Sequence, residues 1–458
     1  MERQLKVLFL TQPAVGHLNT LLSIASQMKA DGHTVHFLLP GARGPKTNFQ
    51  VLDTVLMLPD ILRQNDIPFD LIPLEFSMLW GGILWPFKSG YAEFTHAVEI
   101  FSQGIAHYTR HILKFVEQSP PDVLVTDFAL VAAGLAAEIA DIPYAVVYHS
   151  GLPFRGEGIP PFGSGLPIGP AAATHPLAQE YARQESLVLD KLDRRVAQVR
   201  RKFNLPPVAP DLLRRPYSPW LNLVTSVEAA EAPRNNLTSN TVFVGPCFGR
   251  RANTQADFPF DKLRDAAFKV YVSLGTVFNN KPKVFQKIIR ALDVPEYQVI
   301  LSAGSARPVL QRMALPRNVM LFKSVPQVAV LPKVDLFISH GGNNSVNEAL
   351  AAGKPLIVMP VAGEQADNAS RIEYLNVGRR MDIAQFESAH LLSLVEEIRA
   401  TPAFHERNLA IARAIAATQS LPSASQCIAW VGRNRRPLQR TGGVPLTITP
   451  DVWPQLFV

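Results

Sequence analysis

Short apolar runs recur along this chain, each followed by a turn and then by a stretch with apolar residues at helical spacing. Lys6 to Thr11 (KVLFLT) predicts a buried strand, Leu18 to Ala30 a helix, and Thr34 to Leu39 (TVHFLL) a second strand. Asp122 to Thr126 and Tyr144 to Tyr148 predict further strands on either side of an Ala-rich helix at Leu130 to Ala140. The same alternation restarts at Lys269 with KVYVSLG, a helix from Pro282 to Ala291, and the strands QVILSA, NVMLFK and DLFISH. A helix from Asn344 to Ala352 and the strand PLIVMP follow. Strands apolar on both faces and alternating with helices predict parallel sheets covered on both sides.

Two such blocks in 458 residues predict an α/β chain of two Rossmann-like, doubly wound lobes facing across a cleft, with ligands at the carboxyl ends of the strands. The expected divisions are an N-terminal lobe (1–245), a linker (246–268), a C-terminal lobe (269–430) and a tail (431–458). The linker assignment follows the loss of periodicity from Gly245 to Asp265. Phe76 to Phe94, rich in Trp, Phe and Gly, and Gly151 to Pro170 (GLPFRGEGIPPFGSGLPIGP) are predicted as loops at the cleft rim.

Composition narrows the class. Hydrophobic residues at 47% and charged residues at 18% exclude a disordered or collagen-like chain. The two cysteines, Cys247 and Cys427, lie far apart with no His or Cys at metal-ligand spacing, so neither a disulfide framework nor a zinc site is expected, and a cytoplasmic location fits. The apolar run after MERQ is too short for a signal segment, and no stretch reaches the roughly 18 apolar residues of a membrane-spanning helix. The net charge of +7 comes from scattered residues, with small groups at Arg194-Arg195, Arg200-Arg201-Lys202 and Arg433 to Arg436. No nucleic-acid partner is expected; the basic balance suits an anionic nucleotide sugar or a peripheral contact with an acidic membrane surface.

The chemistry concentrates in Ser339 to Asn368 (SHGGNNSVNEALAAGKPLIVMPVAGEQADN). A strand ends in His340-Gly341-Gly342 and a helix begins near Asn343, so a fresh helix N-terminus with close backbone access forms a cradle for a pyrophosphate. Asn344 and Ser345 add side-chain donors. Glu348, one turn further on, faces the same way and can accept hydrogen bonds from ribose hydroxyls. Glu364 and Gln365 stand at the end of the next strand, where an acid and an amide can grip sugar hydroxyls.

This run resembles the donor-binding signature of the family 1 nucleotide-sugar (UDP) glycosyltransferases, and more distantly the bacterial zeaxanthin glucosyltransferases within it. The resemblance spans Lys269 to about Asp382 and implies the GT-B arrangement of two lobes. It implies that His340, Gly342, Asn343, Asn344 and Ser345 bind the pyrophosphate, Glu348 the ribose, and Glu364 and Gln365 the sugar, with Asn368 supporting that loop. Val325-Pro326-Gln327 matches the element beside the uracil, and Ser273 to Thr276, including Gly275, matches the first turn of the donor lobe, where Thr276 contacts phosphate. Where the family carries an aromatic residue to stack on the base, this chain has Ser324. In the family, Gln at the place of Gln365 tends to accompany glucose, and His galactose.

On the N-terminal side, Thr11 to Asn19 (TQPAVGHLN) puts His17 at the mouth of a helix, with Gly16 permitting a tight turn. The helix dipole there disfavours imidazolium and is expected to keep a neutral ring available as a base. The resemblance makes His17 the general base and Asp127, at the end of DVLVTD, the acid that orients it; Asp122 opens that strand and is expected at a turn. No Asp-x-Asp pair accompanies the cradle, so a metal ion is not expected, nor any cofactor beyond the UDP-sugar co-substrate. One in-line displacement would invert the anomeric centre.

Met78, Leu79, Trp80, Ile83, Leu84, Trp85, Phe87, Tyr91 and Phe94 suit either core or the wall of an apolar pocket for a small lipophilic, hydroxylated acceptor. The resulting expectation is an inverting hexosyltransferase that takes glucose from UDP-glucose. The rival readings are an epimerase or a lipid-intermediate glycosyltransferase on the same two lobes, or a non-catalytic nucleotide-sugar-binding protein.

Overall fold

A computed structural model describes residues 3–42, 50–75, 91–209, 211–249, 258–275, 280–361, 363–441 and 443–457. Thr276, the expected acceptor-wall residues from Met78 to Phe87 and part of the expected linker lie outside them.

The N-terminal sheet consists of β1 (Lys6–Leu10), β2 (Thr34–Gly41), β3 (Phe69–Pro73), β4 (Val123–Asp127), β5 (Tyr144–Tyr148), β6 (Leu221–Val224) and β7 (Thr241–Phe243). All pairings are parallel, in the order β3-β2-β1-β4-β5-β6-β7. The C-terminal sheet consists of β8 (Phe268–Ser273), β9 (Tyr297–Ser302), β10 (Val319–Phe322), β11 (Leu336–Ser339), β12 (Leu356–Val358) and β13 (Gly378–Arg380), parallel in the order β10-β9-β8-β11-β12-β13. Each order reverses beside its first strand, at β1/β4 and at β8/β11, and such a reversal opens a ligand crevice at the strands' carboxyl ends.

The continuous apolar runs arise because both faces of each strand are buried. Val7 and Phe9 enter one core of the N-terminal lobe and Leu8 and Leu10 the other; in β8, Val270 and Val272 face one core and Tyr271 the opposite one. The longer helices covering the sheets are α1 (Val15–Ala30), α2 (Gln50–Gln64), α3 (Tyr91–Gln103), α4 (Ile105–Gln118), α5 (Val131–Ile139), α6 (Ala178–Lys202), α7 (Pro282–Ala291), α8 (Asn343–Ala351), α9 (Gln365–Tyr374), α10 (Ser388–Ala400), α11 (Pro402–Ala417) and α12 (Ser420–Asn434).

Several boundaries differ from the sequence expectation. Helix α1 begins at Val15, three residues early, so Gly16 and His17 lie in its first turn. Gly16 therefore makes no tight turn, and a Cβ there would meet nothing within 4 Å. Tyr91 and Phe94 belong to α3 and not to a rim loop; Tyr91 is buried against Tyr181, ring centroids 4.5 Å apart, and Phe94 packs on Phe162. In the expected linker, Phe258 and Phe260 pack with Phe322 in the C-terminal lobe. The expected division at residue 430 falls inside α12. Cys427, Ile428 and Val431 of that helix, with Leu438 and Ile448 of the tail, join the N-terminal core beside Leu5 and Val123. The chain thus returns to its first lobe, and burial of this apolar face against α1 and β4 explains why it does.

Candidate active site

Strand β1 delivers Thr11, Gln12 and, after one turn, His17 to the reversal point of the N-terminal sheet; β4 delivers Asp127 beside them. The Asp127 carboxylate is fully buried and accepts five hydrogen bonds. Oδ2 takes the Thr11 hydroxyl and the Gln12 N–H, each at 2.6 Å, and His17 Nδ1 at 3.4 Å. Oδ1 takes the N–H groups of Ala129 at 2.7 Å and Leu130 at 3.2 Å. Burial pushes this carboxyl up, but the His17 charge and these donors outweigh it and hold the group far below the usual carboxylate range. Sequence reasoning missed Thr11 and Gln12 as the holders of the acid, although both lie in the turn that carries His17.

The His17 side chain remains 22% exposed. Burial lowers its pKa, yet the Asp127 carboxylate, and more weakly Glu364, outweigh that and raise it above the ordinary imidazole value. The expected dipole-driven preference for a neutral ring is therefore overridden, because a full carboxylate charge in contact exceeds the partial charge of a helix terminus. His149, following β5, lies edge-on to His17 with ring centroids 4.4 Å apart, and Phe128 stacks on His17 and lies tilted beside His149. The carboxyl-end rule that finds Asp127 also points to His149, the residue after the apolar strand YAVVY.

Across the cleft, β8 ends at Gly275 and β11 at His340. The His340 ring lies so close to Gly275 and Gly342 that a Cβ on either would approach its Nε2 within 2.8 Å. Both glycines are therefore needed for the ring to fit. Burial takes the His340 pKa down to about 4, with the Ser273 carbonyl opposing it only in part. His340 is thus neutral and shapes the turn without offering a positive charge to phosphate.

Helix α8 starts directly after this turn. Asn344 and Ser345 are half-buried in its first turn. Asn343 is turned away from the expected phosphate position: its amide donates to the His149 carbonyl and its oxygen accepts from Arg371 Nη2 at 2.9 Å. The reason is Arg371, a buried cation that needs acceptors; it is paired with Glu231 and bound to Asn368 at 3.0 Å. Asn368 also donates to the Gly341 carbonyl at 2.8 Å, tying α9 to the glycine turn.

Gln327 is buried behind α8. Its amide donates to Glu348 at 2.7 Å and Ser345 at 3.1 Å, and its oxygen accepts from Tyr271. Its side chain braces the two expected nucleotide contacts from behind, while Val325 packs at the edge of the same core. The Glu364 carboxylate, its pKa raised by burial, accepts the Asn343 N–H and acts electrostatically on His17. Gln365 opens α9 and accepts the Val361 N–H at 2.8 Å. The structure thus brings His17, Asp127 and His149 of one lobe against Asn343 and Glu364 of the other.

Beside this centre, the Gly151 to Pro170 segment folds onto α9. The N–H groups of Gly163 and Gly165 donate to Asp367, the Ser370 hydroxyl donates to the Gly165 carbonyl at 3.0 Å, and a cavity lined by Phe154, Ile159, Phe162, Leu166 and Arg371 lies underneath. Burial raises the Asp367 pKa to about 6.

Two facing parallel-sheet lobes, one carrying a histidine and acid at its crevice and the other a glycine turn at a helix start, form a GT-B fold. Residues 221–432 match the model of the UDP-glucoronosyl and UDP-glucosyl transferase family, and with the relatives below this makes the chain a glycosyltransferase. The chain is 27% identical to 4'-demethylrebeccamycin synthase of Lentzea aerocolonigenes over 418 residues, 87% of this chain and 93% of the relative. It is 26% identical to zeaxanthin glucosyltransferase of Pantoea ananas over 279 residues, 59% of this chain and 62% of that one. The crystal structure of CalG4, the calicheamicin glycosyltransferase, superposes with a TM-score of 0.72 at 21% identity, covering 94% of this chain and all of that one. Among the described residues, no helix is long and apolar enough to cross a membrane.

Proposed function

We propose that this glycosyltransferase moves glucose from UDP-glucose to a hydroxyl of a small lipophilic acceptor of the natural-product or carotenoid type, with inversion. The observation that carries the reading is the contact of His17 with the buried Asp127, directly opposite Glu364 and the start of α8. The relatives named for rebeccamycin-type and carotenoid products support the acceptor class. With Nδ1 held by Asp127, Nε2 of His17 carries the lone pair and takes the proton of the acceptor hydroxyl. The acceptor oxygen then bonds to the anomeric carbon as the bond from that carbon to the β-phosphate oxygen breaks and its electron pair leaves with UDP. The N–H groups of Asn344 and Ser345 at the start of α8, with their side chains, stabilise the departing charge. Incubation with several UDP-sugars and a panel of hydroxylated acceptors, followed by mass spectrometry, tests the reading; conversion of the donor without any glycoside would point to an epimerase.

The pH dependence follows from the raised His17 pKa. The base is available above that pKa, and kcat/KM falls as the pH drops through it. Asp127→Asn removes the charge that raises the pKa, so the acid limb moves to lower pH while the plateau falls by about 10 to 10²-fold. An acid limb unmoved in this variant would remove the pair from the mechanism.

Donor choice rests on Glu364 and Gln365. An unmade hydrogen bond in a closed site costs about 1 to 3 kcal/mol, enough for roughly tenfold discrimination between epimers. UDP-glucose is expected to be used more efficiently than UDP-galactose, and Gln365→His to narrow the gap. Equal kcat/KM for both donors in the wild type would show that Gln365 does not select the sugar.

A further inference from the structure

His149 follows the interior strand β5 and is 4% exposed. Its Nδ1 meets the Ser150 hydroxyl at 2.9 Å, whereas Nε2 is buried with no hydrogen-bond partner among the described residues. A buried polar nitrogen without a partner destabilises the fold, so its retention calls for a reason. The location supplies one: single polar atoms of His17, Asp127 and His149 all lie within 4.8 Å of one another. A metal ion would need a lone pair from Asp127, whose two oxygens already accept five hydrogen bonds, so a hydroxyl oxygen suits this convergence better. The backbone of the same residue receives the Asn343 amide from the first turn of α8, so His149 touches both the base and the donor helix.

We propose that His149 is a second working histidine of the site, donating from Nε2 to the acceptor hydroxyl that His17 deprotonates. The inference rests on the reading of His17 as base. In this arrangement the Ser150 hydroxyl, 2.9 Å from Nδ1, acts as the donor, and the ring's one proton sits on Nε2. Donation from there to one lone pair of the acceptor oxygen turns its proton toward His17 and leaves the other lone pair for the anomeric carbon. Burial and the neighbouring His17 take the His149 pKa down to about 3, so the ring keeps a single proton throughout the working range.

The test compares His149→Phe, which keeps the ring packed on His17 and loses the donor, with His149→Gln, whose side-chain amide can place an N–H near the lost Nε2–H. His149→Phe is expected to lower kcat/KM for the acceptor about tenfold or more, with a raised acceptor KM, while the KM for UDP-glucose stays within about twofold. His149→Gln is expected to recover most of the loss. Near-wild-type kcat/KM in His149→Phe, equal impairment of the two variants, or an effect confined to the donor KM would each overturn the proposal. His17→Ala measured alongside separates the two readings. An inactive His17→Ala with an unimpaired His149→Phe defeats only the role of His149, whereas an active His17→Ala defeats the base assignment itself.

Discussion

Replacing His17 by alanine is expected to lower turnover by about 10² to 10⁴-fold and to leave UDP affinity nearly unchanged. The separation of effects follows from the geometry. His17 stands on the N-terminal lobe, held by Asp127, while the expected contacts to the nucleotide all belong to the opposite lobe. Removing the imidazole takes away the group that accepts the proton in the transition state and touches nothing that grips UDP. Single-turnover kinetics together with calorimetric titration of UDP check both halves. Wild-type-like turnover would remove His17 from the mechanism, and a large loss of UDP affinity would mean that the lobes do not act separately.

Replacing Arg371 by methionine is expected to destabilise the folded chain by about 3 to 5 kcal/mol, the usual cost of leaving one partner of a buried ion pair uncompensated. The side chains of Arg371 and Glu231 are only 6% and 5% exposed. Glu231 lies in the segment between β6 and β7, and Arg371 lies on α9 of the other lobe, where it also holds Asn343 and Asn368. The loss should therefore reach both lobe packing and the glycine turn. Chemical denaturation measures it, and the double variant with Glu231→Gln should recover part of it, because the stranded carboxylate is then neutral. Stability within about 1 kcal/mol of the wild type in Arg371→Met would show that this pair does not hold the lobes together.

The two sheets were legible because each strand is buried on both faces and so appears as an unbroken apolar run between turns. The site was legible wherever its residues share one strand-to-helix turn, as His17 does with Thr11 to Asn19 and as Asn344, Ser345 and Glu348 do with the HGG turn. The network joining Glu231, Arg371, Asn343 and His149 was not legible. Its partners are 140, 28 and 194 residues apart, and no local spacing links a buried Arg to an acid on the other lobe. For that reason the engagement of the Asn343 side chain by His149 and Arg371 was not visible in the sequence. Helix α12 is apolar on one face, but that pattern does not reveal which lobe the face meets. The electrostatics of His17 were misjudged because the helix terminus is visible in the sequence, whereas the contact with Asp127 exists only in the fold.

The central claim is inverting transfer from a nucleotide sugar, and the anomeric configuration of the product tests it most directly. Incubation of the wild-type chain with UDP-α-glucose and a hydroxylated lipophilic acceptor, followed by proton NMR of the purified product, is predicted to show a β-glucoside. An α-glucoside would contradict the single displacement assisted by His17.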